Sequence, residues 1–513
     1  MIIFTLVVST IIAFYFWARN RYNYFEERGF LSKTPIFPYG NLKGVGTRFH
    51  ISRTLKKFYD EFKDQAPVHG IYQMFLNPTF VVTDLNLIKE ILIKDFDSFR
   101  NRGIYHSEHD VLSNHLFLIE DEPWKTMRNN LSPTFTSGKM KVMFHTVLDI
   151  SHQLVAYMNQ QGDVVEMKEV LARFTTDVIG NVAFGLESNS LNDPNSTFRK
   201  MGLKFFNFDR KRQMRALTAI AFPNLANYLK VSLTPADVTN FFVTTIRKAV
   251  DYRKQNKIER KDFLDLLMKI NNDGKKLTLN EMTAQSFLFW IAGFETSSST
   301  ATFCLYFLSI YPNIQDKLRN EIRTTLSKYD NQITYEAMME MKYLQMVIDE
   351  SLRLYGPVFN LVRRAERDYQ VPYTNLVIPK GGQIFIPVHA IHNDPDYYPE
   401  PKQFIPERFS EENKKLRHPM TFLPFGDGPR IGLRFGLMQT KISLIQLLMN
   451  FQFIPSARTP IPMVLHTTSV VMAPRDDMHL RVKNLTVGDV FKDAWRVFSL
   501  YRWSLGLSVK KDP

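Results

Sequence analysis

The chain has 513 residues, 44% hydrophobic and 23% charged, which is the balance of a folded globular protein rather than a disordered one. Its net charge of +14 is spread along the chain with no basic arm and no nucleic-acid motif, which points away from nucleic acid and toward a membrane surface or an acidic protein partner. The single cysteine, Cys304, excludes an internal disulfide framework and a cysteine-based zinc site.

Residues 1–18, MIIFTLVVSTIIAFYFWA, carry no charge and precede Arg19 and Arg21. The run is near the lower limit for a spanning helix and lacks the positive leader and small-residue cleavage site of a removed signal peptide. It predicts an N-terminal membrane anchor, with the basic residues placing the remainder in the cytosol. Residues 19–40, with Pro35 and Pro38, read as a stiff linker.

Residues 41–485 read as one mostly helical domain with a small β portion, an α+β class without internal repeats. His69–Phe75 and Thr79–Thr83, parted by Asn77-Pro78, predict a β-hairpin, and Asp84–Ile93 has helical spacing. Arg100–Leu116 is polar and irregular, a candidate substrate-recognition loop. Helices are expected at Met140–Gln160, Lys168–Phe184, Pro235–Lys254, Lys261–Ile270, Leu279–Tyr311, Ile314–Leu326 and Met338–Tyr355. Gln370–Pro399 turns to short strands, and Met478–Leu485 reads as the last one. Residues 486–513 form an atypical extension whose apolar residues suit one amphipathic helix.

Four stretches carry chemistry. Trp124 and Arg128 stand one helical turn apart, and Glu350 and Arg353 stand at i and i+3, where a carboxylate and a guanidinium can pair. Ala292-Gly-Phe-Glu-Thr-Ser297 interrupts the longest apolar helix with a glycine, an acid and an alcohol. Phe422–Gly436, FLPFGDGPRIGLRFG, is a tight loop punctuated by Pro424, Gly426, Gly428 and Pro429 that runs into a helical apolar pattern.

In this order the stretches resemble the cytochromes P-450, the heme-thiolate monooxygenases. NNLSPTFTSGKMK at 129–141 and AIHNDPDYYPEPKQFIPERF at 390–409 resemble the insect microsomal detoxifying type. The resemblance implies a large helical domain around heme b. Phe425, Gly428, Arg430 and Gly432 fall on the heme-binding pattern F-x-x-G-x-R-x-C-x-G, and Trp124, Arg128, Arg363 and Arg430 would reach the heme propionates, a task suited to bidentate arginine. Glu350, Arg353 and Arg408 would form a buried ionic cluster bracing the proximal side. Glu295 and Thr296 would be the acid–alcohol pair that relays protons, with Gly293 making room for dioxygen. A plainer reading of those residues is a glycine kink and a threonine bonded to the preceding turn.

One position departs from the pattern. Only Ile431 separates Arg430 from Gly432, where the family has three residues with the ligand cysteine in the middle. Two residues are missing, which shortens the chain's reach by up to roughly 7 Å, and the iron ligand is one of them. Cys304 lies on the oxygen-side helix, and no histidine occurs between His418 and His466.

The implied function is insertion of one oxygen atom from O2 into small apolar substrates such as xenobiotics, insecticides, hormones or fatty acids. Electrons would come from an NADPH-dependent flavoprotein reductase, with cytochrome b5 as a further partner. The location implied is the endoplasmic reticulum membrane, with the catalytic domain facing the cytosol. Without a thiolate, the alternative is a catalytically inactive pseudoenzyme or decayed gene product.

Overall fold

The computed structural model describes residues 2–485, apart from 76, 207–208, 261, 273–274, 432–434 and 476–477. Gly432 and the extension 486–513 therefore lie outside the described residues, as does the expected helix start at Lys261.

The N-terminal helix α1 (Ile2–Arg21) presents exposed Phe4, Leu6, Ile11, Phe14 and Trp17. Among the described residues no helix, α1 included, is long and apolar enough to cross a membrane. Its uncharged run rises about 25 Å against a hydrocarbon core of about 30 Å.

A helix the sequence reading passed over, α2 (Ile51–Phe62), leads to the expected hairpin, β1 (Val68–Tyr72) and β2 (Pro78–Val82), paired antiparallel from Val68 opposite Val82 to Tyr72 opposite Pro78. The expected helix at Asp84–Ile93 is an α-turn at Leu85–Lys89 followed by a π-helical stretch at Glu90–Lys94. Asp84 caps it by accepting from Leu87 N–H.

Next come α3 (Asp121–Leu131), α4 (Ser137–Met158), β3 (Val164–Glu166) and α5 (Met167–Phe184). The molecule is assembled around α6 (Leu279–Ile310), which a Thr278–Glu281 capping box starts and the Tyr311-Pro312 step ends. From Met282 to Ser309 its side chains are buried on nearly every face, packed against α5 and later helices. Such all-round burial matches its near-continuous apolar sequence.

The helix expected at Met338–Tyr355 is two helices, Tyr335–Glu340 and α7 (Lys342–Tyr355). Met341 breaks the run with an extended ψ of 89°. Then β4 (Leu361–Arg364) and β5 (Gln383–Ile386) complete a four-stranded sheet in the order β1-β2-β5-β4, with β2 and β5 parallel. The C-terminal part supplies α8 (Phe435–Asn450), β6 (Phe451–Pro455) and β7 (His479–Asn484). The last strand lies between β6 and β3 in a second sheet. Long helices with small sheets make the α+β arrangement expected from the sequence.

Candidate active site

The site lies where α6 faces the loop before α8. Most of α6 is sealed, but Ala292 is exposed and Ile291, Glu295 and Thr296 are only half-buried, so one face of the helix opens at that point. Gly293 points elsewhere. A Cβ there would come within 2.3 Å of Ile179 Cδ1 on α5, so this glycine is what lets α5 and α6 approach closely. Gln439 on α8 donates to the Gly293 carbonyl at 2.5 Å and to Ser297 Oγ at 2.5 Å, tying the two helices at the same turn.

Glu295 and Thr296 do not bond to each other among the described residues. The Glu295 carboxylate accepts from Lys168 Nζ at 2.8 Å and from Ser299 Oγ at 3.3 Å, and Lys168 also reaches Ser298. Thr296 Oγ1 donates to the Ala292 carbonyl at 2.5 Å, the back-bond of the plainer reading.

The loop before α8 gathers guanidinium groups. Gly428 has φ +70°, and a Cβ there would sit 2.0 Å from the Leu92 carbonyl oxygen, so only glycine fits the turn Gly428–Arg430. Phe425 is half-buried against the core beside it. The turn sends Arg430 inward, its guanidinium 4.0 Å from the Trp124 ring centroid and its Nε donating to the Arg100 carbonyl at 2.5 Å. Arg128 on α3 donates to the Ile431 carbonyl at 3.1 Å. Arg363 on β4 is 2% exposed, and among the described residues its guanidinium bonds its neighbour's carbonyl alone, that of Val362, at 2.8 Å.

Sequence reasoning missed a fourth arginine. Arg102 belongs to the loop assigned to substrate recognition, and its guanidinium stacks on Phe117, 4.0 Å from the centroid. Burial, and then the charges of Arg363, Arg430 and Arg128, push its pKa far below the usual arginine value. Burial lowers Arg363 to about 10, and burial with the neighbouring Arg363 charge lowers Arg430 to about 9. Among the described residues, both Nη atoms of Arg430 and the Nε of Arg363 are buried without a hydrogen-bond partner. No local motif marks Arg102. Its partners lie far away in sequence, and only the fold brings them together.

Beneath the loop, Glu350 and Arg353 on α7 form a two-pronged pair at 2.7 and 2.8 Å with both side chains fully buried. Arg408 stands 3.4 Å from the same carboxylate. Arg353 also donates to the carbonyls of His392, Pro401 and Gln403, so the pair fastens the segment that precedes the glycine loop.

Clustered arginines whose buried guanidinium atoms lack a partner among the described residues suit a dianion. The cytochrome P450 family profile matches residues 31–481. This chain belongs to the cytochrome P450 family. It is 41% identical to "Probable cytochrome P450 6a14" of Drosophila melanogaster over 491 residues, covering 90% of this chain and 96% of that protein. It is likewise 41% identical to "Cytochrome P450 6A1" of Musca domestica, covering 94% and 97%. "Cytochrome P450 6a2" of Drosophila melanogaster is also 41% identical, with 94% and 100% covered. The family function is heme-dependent monooxygenation, and the chain is of the insect type.

The residues present fit one part of heme and not another. The unpartnered guanidinium atoms of Arg430 and Arg363 fit its carboxylates. Nothing fits its iron on the loop side. The chain runs Arg430-Ile431-Gly432 without a cysteine or histidine, and Cys304 is buried inside α6, its thiol pushed up to about 12 by burial and bonded to Ser351.

Proposed function

We propose that this P450 acts on small apolar molecules of the xenobiotic, insecticide, hormone or fatty-acid kind, with electrons from an NADPH-dependent flavoprotein reductase and cytochrome b5 as a second donor. Its station would be the endoplasmic reticulum, cytosolic side, with exposed α1 held in the lipid. The observation that carries the reading is the cluster of Arg102, Arg128, Arg363 and Arg430, in which both Nη atoms of Arg430 and the Nε of Arg363 are buried without a partner among the described residues and would hold heme by its carboxylates.

Aromatic side chains cluster around this part of α6, with Phe205 and Phe287 5.0 Å apart, Phe206 and Phe294 5.6 Å, and Trp290 and Phe294 5.3 Å, and Phe287, Trp290 and Phe294 are buried in the core. In this reading Lys168 fixes the Glu295 carboxylate, and Thr296 offers a hydroxyl on the open face. Gly293 and Gln439 set the helix spacing, while Trp124, Arg128, Arg363, Phe425, Gly428 and Arg430 shape the heme seat.

Bound heme supplies oxygen activation in this family, and a proximal thiolate is what favours O–O cleavage. The direct Arg430–Ile431 link favours a second reading, a chain that holds heme and apolar ligand without turnover. Reconstitution with reductase and NADPH on apolar test substrates separates the two. Oxygenated product above a heme-only blank supports the enzyme. Product only from a variant with Asn-Cys inserted between Arg430 and Ile431 supports the second reading. Product from neither removes the first.

A further inference from the structure

We propose that this chain holds its ring through the two carboxylates alone, so that the site takes a dicarboxylate tetrapyrrole whether or not the ring carries iron. The inference rests on the heme seat read above and deepens it.

Arg102, Arg128, Arg363 and Arg430 arrive from a loop, α3, β4 and the glycine turn; the Arg430 guanidinium lies 4.0 Å from the ring centroid of Trp124 on α3, Arg128 donates to the Ile431 carbonyl at 3.1 Å, and both Arg430 Nη atoms and the Arg363 Nε are buried without a partner among the described residues. None of the four forms an ion pair with a carboxylate among the described residues. The nearest acids are already engaged. Glu120 accepts from Arg364 at 2.7 Å and from Gly103 N–H at 3.1 Å, and Asp121 accepts from Arg100 at 2.7 Å and from Asn101 at 3.0 Å. Like charges withdrawn from water repel at a cost that falls when a dianion enters among them. Planar guanidinium forks are matched to carboxylates in particular.

The loop side offers no compensating bond to a metal. Ile431 and Gly432 follow Arg430 directly, and no cysteine or histidine occurs before His466. Affinity is then left to the carboxylates and to apolar contact with the ring faces. Neither of these changes when iron is removed.

The test titrates the purified full-length chain with hemin, metal-free protoporphyrin IX and protoporphyrin dimethyl ester, following quenching of tryptophan fluorescence. Hemin and protoporphyrin are expected to bind one per chain with Kd values within about threefold of each other, and the ester about tenfold or more weaker. Arg430→Ala should weaken both acids by about tenfold, and the ester comparison stands without any variant. Hemin favoured by more than about thirtyfold, or an ester that binds as well as the acid, overturns the proposal. The Asn-Cys insertion between Arg430 and Ile431 provides the reference, with hemin preferred. If that variant binds hemin while the chain itself binds neither ring, the proposal falls and the heme seat stands. If neither protein binds any ring, both fall.

Discussion

Among single residues, the most costly to disturb is Glu350. Its carboxylate holds Arg353 with two bonds, accepts from Ile405 N–H at 2.9 Å and lies beside Arg408, and the Glu350 and Arg353 side chains are fully buried. Glu350→Ala leaves the buried Arg353 charge uncompensated, and the loss should be about 3–5 kcal/mol, read as a lowered urea midpoint. Arg353→Met with Glu350→Leu should recover part of it, because an apolar pair carries no desolvation cost. Lost stability unchanged in the double variant would show that the bonds to His392, Pro401 and Gln403 matter more than the charges. His69 presents the opposite case. It is fully buried on β1 against the Phe62 ring at 4.8 Å, and neither ring nitrogen has a partner among the described residues. His69→Leu removes an unsatisfied polar group at similar volume and should raise stability by about 1–2 kcal/mol at pH 7.5.

Pairs of elements locate what a sequence can and cannot reveal. Gly293 is a case in point, because a Cβ there would meet Ile179 Cδ1 of α5 at 2.3 Å. Gly293→Ala should push Ile179 aside and cost about 1–3 kcal/mol, and Ile179→Val, which deletes the clashing methyl, should return much of it. A double-mutant cycle with no coupling would refute that contact. The long helices were legible because their apolar periodicity and end signals are local, as with Leu279–Ile310 between Thr278 and Pro312. The break at Met341 was not, since no glycine or proline marks it. There Glu321 accepts from Tyr343 and Leu344 N–H at 2.6 and 2.8 Å, and this distant carboxylate caps the new helix. The site divides in the same way. Arg128, Arg363 and Arg430 sit in recognisable stretches, while Arg102 and Lys168 acquire their partners only through tertiary packing.

Over the whole molecule, buried imidazoles set the response to acid. Burial pushes His69, His115 and His392 down to about 3 and His389 to about 4. His392 shows why protonation is resisted, because its Nε2 accepts from Leu423 N–H at 2.8 Å at the entry to the glycine loop. In the unfolded chain these rings titrate near 6.5. Below that pH the unfolded state binds protons that the folded state refuses, so stability is fully present above 6.5 and falls as pH drops toward 3–4. Each ring contributes about 1.4 kcal/mol per pH unit, and the four together are on the order of 5 kcal/mol at one unit below 6.5. Burial raises the carboxyls of Asp349 and Glu166, which act in the other direction near their own lower range. The chain should therefore unfold on mild acidification, before its carboxylates titrate. Urea midpoints measured from pH 7.5 to 5.5 should fall steeply, and His69→Leu should reduce the slope by about one proton in four. A midpoint flat across that range would mean that these rings take up protons in the folded state.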